Sequence, residues 1–182
     1  YLFVVVMTAM FHDIHNKMDG TLAKDRLAGT YFDEILYADD TICISEKEST
    51  ISKFTQEIES EGDKYGLKLN KAKCELLTTQ NTSNVKFKNG TKVQRKQQVT
   101  YLGCKINYHS NIGMEINQRI ANTMTTVKKL QVFWLHSNCP VRTKVQVADA
   151  VVRAKLLYCL ETAQINGTEL KKMETVHLNI IR

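Results

Sequence analysis

Apolar residues open the chain as a block, before any other pattern is established. The stretch YLFVVVMTAMF is 11 residues of nearly continuous apolar character. It is too short to span a bilayer and no basic segment precedes it, so we expect no membrane partner. The block predicts a buried helix over about residues 2–14, packed against the inner face of a sheet.

The next pattern, YFDEILYADDTICIS, places two aspartates between apolar residues. It predicts two strands joined at Ala38, Asp39 and Asp40, because Asp is a common turn residue. The apolar neighbours are expected to bury both strands up to the turn, so that the acids lie at the edge of a core. These neighbours are Ile35, Leu36, Ile42 and Ile44.

A helical period follows the hairpin. Ser45 and Glu48 have the spacing of a capping box, and Gly66 follows the last apolar position. A helix is therefore predicted over residues 46–64, with one apolar stripe that belongs to the core. The stripe consists of Ile51, Phe54, Ile58 and Tyr65.

Short strand patterns occupy the middle of the chain. A strand is predicted over about residues 75–79, followed by a second hairpin in VKFKNGTKVQ. Asn89 and Gly90 in this hairpin predict a two-residue turn with positive φ. The next segment, VTYLGCKI, is predicted to form one further strand.

From Ile112 onward the period becomes helical. MEINQRIANTMTTVKKLQVF predicts a first helix, and Pro140 separates it from a second helix in VRTKVQVADAVVRAKLLYCLE. A third helix, TELKKMETVHLNIIR, has Thr168 as its candidate N-cap. The apolar face of the first helix is predicted to consist of Met114, Ile120, Met124, Val127 and Leu130.

Strands followed by helices predict an α+β body and an all-helical piece. We expect the first domain to cover residues 1–107 and the helical region to cover residues 108–182. A chain of 182 residues with 43% apolar content can bury one sizeable core, or one core with a helical appendage.

Charge is distributed unevenly. Residues 1–60 contain five Lys or Arg and eleven Asp or Glu, a net charge of −6. Residues 61–105 contain ten and three, or +7, and residues 106–182 contain ten and five, or +5. This asymmetry suits a polyanion held next to an acidic, cation-binding spot.

The cysteines favour a structural interpretation. There are five, an odd number, and no CxxC pair is present. We expect reduced, buried thiols of an intracellular protein and no metal site built from cysteine.

The adjacent aspartates are the strongest candidate for chemistry. Two ionised carboxylates about 5 Å apart repel by roughly 3 kcal/mol at an effective dielectric of 20, and by less than about 1 kcal/mol in water. Adjacency is therefore tolerated where the turn is wet or a cation is bound. Carboxylates at a hairpin tip suit Mg²⁺, and two such ions can clamp both oxygens of a phosphoryl transfer. The alternative is an ordinary exposed Asp-Asp turn.

Tyr37-Ala38-Asp39-Asp40 on a hairpin resembles the YxDD motif of reverse transcriptases, in the YADD form of non-LTR (LINE-type) retrotransposons. The opening helix is similar to the one that follows the family's Gln-Gly turn. GLKLNKAKCE resembles the next palm motif, with Asn70 and Lys73 at matching positions, and VTYLGCKI resembles the strand that grips the primer.

The resemblance implies an RNA-directed DNA polymerase that uses Mg²⁺, deoxynucleoside triphosphates, an RNA template and a DNA primer. Asp39 would be a metal ligand and Asp40 a second, weaker one. Lys73 would lie near the triphosphate as the acid that protonates pyrophosphate, or would be an ordinary exposed lysine. Tyr37 and Ala38 would touch the primer end or the incoming nucleotide, although Tyr37 is equally compatible with a core position.

Further roles follow from the same resemblance. Tyr101, Leu102 and Gly103 would position the primer, Gly103 because a residue without Cβ lets another backbone approach, or it would mark a plain bulge. Basic residues outside these motifs would neutralise phosphates, although a solvated face is the alternative for each. They are Lys86, Lys88, Lys92, Arg95, Lys96, Lys128 and Lys129.

The family's earlier palm aspartate and its fingers are not found in the sequence. Because the chain begins at Tyr1, we expect a fragment: the C-terminal part of a palm followed by thumb-like helices, inactive on its own. The alternative function is a non-catalytic nucleic-acid-binding remnant of a retrotransposon polymerase. The analogy also implies an intracellular, nuclear location.

Overall fold

The computed structural model describes residues 2–18, 20–80, 82–108, 112–160 and 163–181. It has helices and small sheets, which confirms the predicted α+β class. The chain divides into two compact units, unit 1 over Tyr1–Tyr101 and unit 2 over Leu102–Arg182. The boundary between the two units lies before the domain boundary predicted at residue 107. The predicted domain boundary stays a prediction.

Unit 1 combines helices with four-residue or shorter strands. In chain order its elements are α1 (Leu2–Lys17), α2 (Thr21–Lys24), β1 (Glu34–Tyr37), β2 (Asp40–Cys43), α3 (Glu48–Lys64), β3 (Glu75–Leu77), β4 (Gln94–Lys96) and β5 (Gln98–Tyr101). The strands β1 and β2 pair antiparallel, whereas β3 and β4 pair in parallel.

The core of unit 1 lies between α1 and α3. The rings of Phe11 and Phe54 meet edge to face with centroids 6.1 Å apart, and Phe54 is fully buried. The predicted packing of α1 against a sheet is wrong, because its main partner is a helix and its first turn is exposed, with Leu2 80% accessible. The buried cluster consists of Met7, Met10, Phe11, Ile14, Met18, Leu22 and Phe54.

Helix α3 is confirmed, but it begins at Glu48 and without the predicted capping box. The Ser45 hydroxyl donates to the carbonyl of Asp25, 20 residues earlier in the chain. The carboxylate of Glu48 accepts the amide of Asn84 instead of an amide at its own helix end. Tertiary partners have therefore replaced the local cap.

The second hairpin has a different loop from the predicted one. The Phe87 amide donates to the Thr91 carbonyl at 2.9 Å, and the Gly90 amide donates to the Phe87 carbonyl at 2.9 Å. Of the three residues between Phe87 and Thr91, only Gly90 has a positive φ, of 82°. The loop is therefore a three-residue turn closed by a left-handed glycine and not a two-residue Asn-Gly turn.

Unit 2 is a short strand followed by helices. Its elements are β6 (Cys104–Asn107), α4 (Gly113–Lys129), α5 (Gln131–His136), α6 (Val141–Val147), a π-helical segment (Ala148–Arg153), α7 (Ala154–Leu157) and α8 (Gly167–Ile181). The predicted single strand VTYLGCKI is thus two strands, because Leu102 and Gly103 both have positive φ. Among the helices described, none is long and apolar enough to cross a membrane.

The buried face of α4 differs from the predicted apolar face. Met114 and Met124 are 55% and 38% exposed. The side chains that face inward are Glu115, Ile116, Arg119 and Thr123. Among them, Glu115 and Arg119 form a charged pair. The prediction failed because hydrophobic spacing cannot anticipate a buried ion pair on the core side of a helix.

Two further details of unit 2 correct the sequence predictions. Helix α8 is capped by Asn166 and not by Thr168: the Glu169 amide donates to Asn166 Oδ1 at 2.9 Å, and the Asn166 amide donates to Glu169 Oε2 at 3.3 Å. Cys104 and Cys159 form a disulfide across a separation of 55 residues, with Cα atoms 6.3 Å apart. The expectation that all five cysteines are reduced is therefore wrong.

Candidate active site

The hairpin of β1 and β2 turns through only two residues. Tyr37 pairs with Asp40, which leaves Ala38 and Asp39 as the loop. Ala38 has φ of 52°, a conformation that glycine usually supplies at the first position of such a turn. A non-glycine residue held there costs about 1–3 kcal/mol, and such strain is concentrated at functional sites.

The carboxylates at this turn are open to solvent. Asp39 and Asp40 are both exposed, and Tyr37 is 61% accessible. The prediction that the flanking residues are buried up to the turn is wrong, since Ile35 and Leu36 are 39% and 37% exposed. Water therefore reduces the repulsion between the two acids, and the pair is accessible to a cation with phosphate ligands.

An ion pair and a histidine–carboxylate hydrogen bond fix the base of the hairpin. Both oxygens of the buried Asp33 accept hydrogen bonds from Arg26, at 2.9 and 2.5 Å, and Asp33 raises the pKa of the Arg26 guanidinium. On α1, His15 Nε2 lies 2.9 Å from Glu34 Oε1. These residues had no signal in the sequence, because their partners are brought together only by folding.

The same residues form a potential cluster of metal ligands. One ligand atom from each of His15, Asp33 and Glu34 lies within 4.8 Å of the others. Arg26, however, already occupies both oxygens of Asp33, and His15 lies against both oxygens of Glu34. The cluster is therefore interpreted as the network that anchors β1 to α1.

Tyr101 lies near the acidic turn within unit 1. Its hydroxyl is buried and has no hydrogen-bond partner among the residues described. Burial raises the pKa of this hydroxyl, and the negative charge of Asp40 raises it further. Tyr101 therefore keeps its proton at neutral pH.

Lys73 lies in the turn at residues 71–73, ahead of β3. Its backbone amide donates to the carbonyl of Asn70 at 3.0 Å, which closes the turn. The side chain is exposed, and its ammonium pairs with no acid in the part of the chain that the structure describes. It is therefore accessible to an anionic ligand.

Leu102 and Gly103 form a tight turn at the start of unit 2, with φ of 48° and 77°. A Cβ at Gly103 would meet Cε1 of Tyr158 at 3.7 Å, an ordinary contact. The positive φ is therefore one reason that glycine fits here. The approach of a primer backbone to Gly103 stays a prediction.

The predicted phosphate-binding residues lie on three elements: the second hairpin, β4 and α4. In the second hairpin, Val85 and Phe87 are buried, while the alternate residues Lys86, Lys88 and Lys92 are exposed. The backbone of this hairpin is held on α3, as the Lys86 amide donates to Ser52 Oγ at 3.0 Å.

The remaining basic residues are less uniform. Lys96 lies 4.0 Å from Glu75 and is partly buried, whereas Arg95 is exposed on β4. Lys128 and Lys129 are exposed in the last turn of α4.

Comparisons with known proteins identify the family of the chain. Residues 1–106 match the model of the family described as reverse transcriptase (RNA-dependent DNA polymerase). Since this match covers more than half of the 182 residues, the chain belongs to the reverse transcriptase family.

A relative from Caenorhabditis elegans, described as an uncharacterized transposon-derived protein, is 25% identical over 162 residues. The aligned region is 86% of this chain and 58% of that protein, so the chain spans less than two thirds of its relative's length. No solved structure matches the chain.

Proposed function

We propose that the chain is the C-terminal part of the palm, followed by thumb-like helices, of the RNA-directed DNA polymerase of a non-LTR retrotransposon. The whole protein would add deoxynucleoside triphosphates to the 3′-hydroxyl of a DNA primer on an RNA template. The observation that supports this proposal is the strained two-residue loop of Ala38 and Asp39, which presents Asp39 and the adjacent Asp40 to solvent at the tip of the hairpin.

The donor set at this tip fits Mg²⁺. The ion prefers oxygen ligands and is usually bound by one or two carboxylates together with substrate phosphates, and Asp39 and Asp40 are exposed carboxylates. We assign Asp39 as the main ligand and Asp40 as a second, weaker one. Bound Mg²⁺ would neutralise the charge that develops on the reacting phosphate.

Other residues of the chain would bind and orient the substrates. Tyr37 and Ala38 would contact the primer end or the incoming nucleotide. Lys73, exposed and unpaired with any described acid, would approach the triphosphate and supply a proton to the leaving pyrophosphate. Tyr101 and the turn at Leu102–Gly103 would position the primer backbone.

The second candidate is the non-catalytic nucleic-acid-binding remnant. One observation favours it: over the described residues, the group of three metal-ligating side chains includes neither Asp39 nor Asp40. Two carboxylates alone offset two divalent cations incompletely. The two candidates differ in whether the hairpin tip binds a divalent ion.

Metal binding to the 182-residue chain separates these candidates. Mn²⁺, a paramagnetic substitute for Mg²⁺, should broaden the amide NMR signals of residues 37–41. Asp39→Asn should weaken this binding by at least about tenfold, because it removes one of the two carboxylates. The matched control is Asp63→Asn, which changes an exposed acid near the end of α3 and should leave the binding intact.

The metal assignment would be contradicted if Mn²⁺ did not broaden the signals of the wild-type hairpin. It would also be contradicted if Mn²⁺ broadened them equally in Asp39→Asn. In that case, binding of RNA by the same chain would favour the remnant.

The chain alone is expected not to extend a primer. The third palm aspartate and the fingers of the family are not among these 182 residues, so both charge neutralisation and nucleotide positioning would be incomplete. A primer-extension assay with Mg²⁺ checks this expectation. If the wild-type chain extends a primer and Asp39→Asn does not, the 182-residue chain is sufficient for primer extension.

A further inference from the structure

The turn at Leu102–Gly103 is held by two side chains that lie far from it in sequence. Tyr158 donates its hydroxyl hydrogen to the Leu102 carbonyl at 2.9 Å. Arg119 donates from Nη2 to the Gly103 carbonyl at 2.5 Å. Both carbonyls of a turn with two successive positive φ angles are therefore fixed by unit 2 itself.

Arg119 is held in one orientation. It is 9% exposed, and its Nε donates to Glu115 Oε1 at 2.5 Å. The other oxygen of Glu115 accepts the Lys105 amide at 3.1 Å, and the guanidinium lies over the Tyr158 ring, 4.9 Å from the centroid. Arg119, Glu115 and Tyr158 thus form one connected support, here called the turn support.

Stability alone does not account for this arrangement. A buried ion pair is often no more stabilising than apolar residues of the same volume, because both charges lose water. An apolar residue at position 119 could fill the space on α4, but it could not bind the Gly103 carbonyl. The specific effect of Arg119 is therefore on the geometry of the turn.

The disulfide reinforces the same connection. Cys104 directly follows the turn, and Cys159 directly follows Tyr158. The chain segments that contain the turn and its tyrosine are therefore joined both covalently and by the Tyr158 hydrogen bond.

We propose that Arg119 and Tyr158 are positioning residues that fix the Leu102–Gly103 turn in the conformation that receives the backbone phosphates at the 3′ end of a primer. This inference rests on the proposed function. Carbonyl oxygens repel a phosphodiester, and two carbonyls that each accept a hydrogen bond repel it less. A fixed turn also avoids an entropic cost on binding.

The test uses the 182-residue chain and the variant Tyr158→Phe, which keeps the ring over Arg119 and removes only the hydroxyl. Because Tyr158 is 50% exposed, this variant should fold normally. The matched control is Tyr31→Phe, which removes a hydroxyl from a residue that is 93% exposed.

The measurement is fluorescence anisotropy with two probes. One is an RNA template annealed to a DNA primer with a recessed 3′ end, and the other is single-stranded RNA of the template sequence. Tyr158→Phe should bind the primer–template about three- to tenfold more weakly, the effect of one hydrogen bond. Its affinity for single-stranded RNA should stay at the wild-type value, and its melting temperature should fall by only about 2–4 °C, the cost of one hydrogen bond. In Tyr31→Phe neither quantity should change.

Three other outcomes would each contradict one of the statements above. If wild-type protein prefers the primer–template and Tyr158→Phe keeps that preference, the positioning role is wrong while the proposed function stands. If Tyr158→Phe loses affinity for both probes together with thermal stability, its role is structural only and the inference is overturned. If the wild-type protein shows no preference for a recessed primer, the proposed primer-binding function itself fails.

Hydrogen exchange gives an independent measure of the turn. In Tyr158→Phe, the amides of residues 102–104 should exchange faster than in the wild-type protein, while those of α4 should not change. Unchanged exchange in the turn would show that Tyr158 does not fix it.

Discussion

At the scale of single residues, backbone strain marks the loops of interest. Among the described residues, Ala38, Leu102 and Cys159 have positive φ without being glycine. Ala38 lies beside the aspartates and Leu102 lies in the turn assigned to the primer, so two of the three occur where the family's motifs occur. Such conformations persist only where neighbouring contacts impose them.

Gly103→Ala tests the strain at one of these turns. The new Cβ meets only the Tyr158 ring at an ordinary distance, so the cost should come from the backbone conformation. We expect a loss of about 1–2 kcal/mol in the free energy of unfolding, the difference between left- and right-handed backbone for an L-residue. Urea denaturation measures it.

Gly167→Ala is the matched control for this substitution. Gly167 is the first residue of α8, has no positive φ and has no atom near the new Cβ. Alanine there should leave stability unchanged or raise it slightly. Equal losses in both variants would show that the turn at Gly103 imposes no special conformation.

At the scale of elements, α3 is the common support of unit 1. Phe54 of α3 packs against the ring of Phe11 of α1. Ser52 and Gln56 of α3 form hydrogen bonds with the backbone of the lysine-bearing hairpin. Near its end, the buried Glu61 carboxylate binds Lys17 of α1 and Lys64. The proposed metal hairpin and the basic hairpin therefore both belong to a unit whose core depends on α3.

Acid should weaken the connection between α1 and α3. The hydrogen bond from Lys17, followed by that from Lys64, lowers the pKa of Glu61 from its ordinary value of 4.5. Because the folded pKa is below the unfolded one, this stabilisation is fully present above about pH 4.5 and is lost as the pH falls through the folded pKa.

Thermal melts between about pH 7 and pH 3 measure this effect. The melting temperature of Glu61→Gln should fall less on acidification than that of the wild-type protein. Glu174→Gln changes an exposed acid of α8 and should retain the wild-type pH dependence. Identical curves for Glu61→Gln and the wild-type protein would contradict the assigned role of Glu61.

 At the scale of the whole molecule, charge separation is the dominant feature. Residues 1–60 have a net charge of −6 and residues 61–182 have a net charge of +12, which gives the chain its net charge of +6. An acidic region that contains the candidate metal site is thus followed by basic regions suited to a polyanion.

Salt should weaken nucleic-acid binding steeply, because phosphate contacts release counterions. Replacing Lys86, Lys88 and Lys92 together by Ala should reduce the slope of log affinity against log salt by about 2–3, since each phosphate contact contributes roughly 0.7–0.9. Anisotropy titrations with single-stranded RNA at several salt concentrations measure the slope.

A triple variant with the same change in net charge is the control. Lys24, Lys53 and Lys171 are exposed and lie outside the proposed binding residues, so their replacement by Ala should alter the slope less. Equal slopes in the two triple variants would show that net charge, and not the basic hairpin, determines binding.

The sequence by itself determined the elements whose signals are local. The strand–turn–strand around Asp39 and Asp40 follows from apolar runs on both sides of turn residues, and the helix α3 follows from a helical period. Both signals are properties of neighbouring residues. The motif residues also lie in order along the chain, so the family could be identified before any fold was known.

Only the tertiary structure decided which distant groups meet. The disulfide of Cys104 with Cys159, the hydrogen bond of Ser45 to Asp25 and the buried pair of Glu115 and Arg119 each depend on how elements pack. Hydrophobic period describes which side of a helix is apolar, but a paired charge can be buried wherever a partner and a carbonyl are supplied. The turn support arises in this way, because its donors and acceptors become neighbours only after the chain has folded.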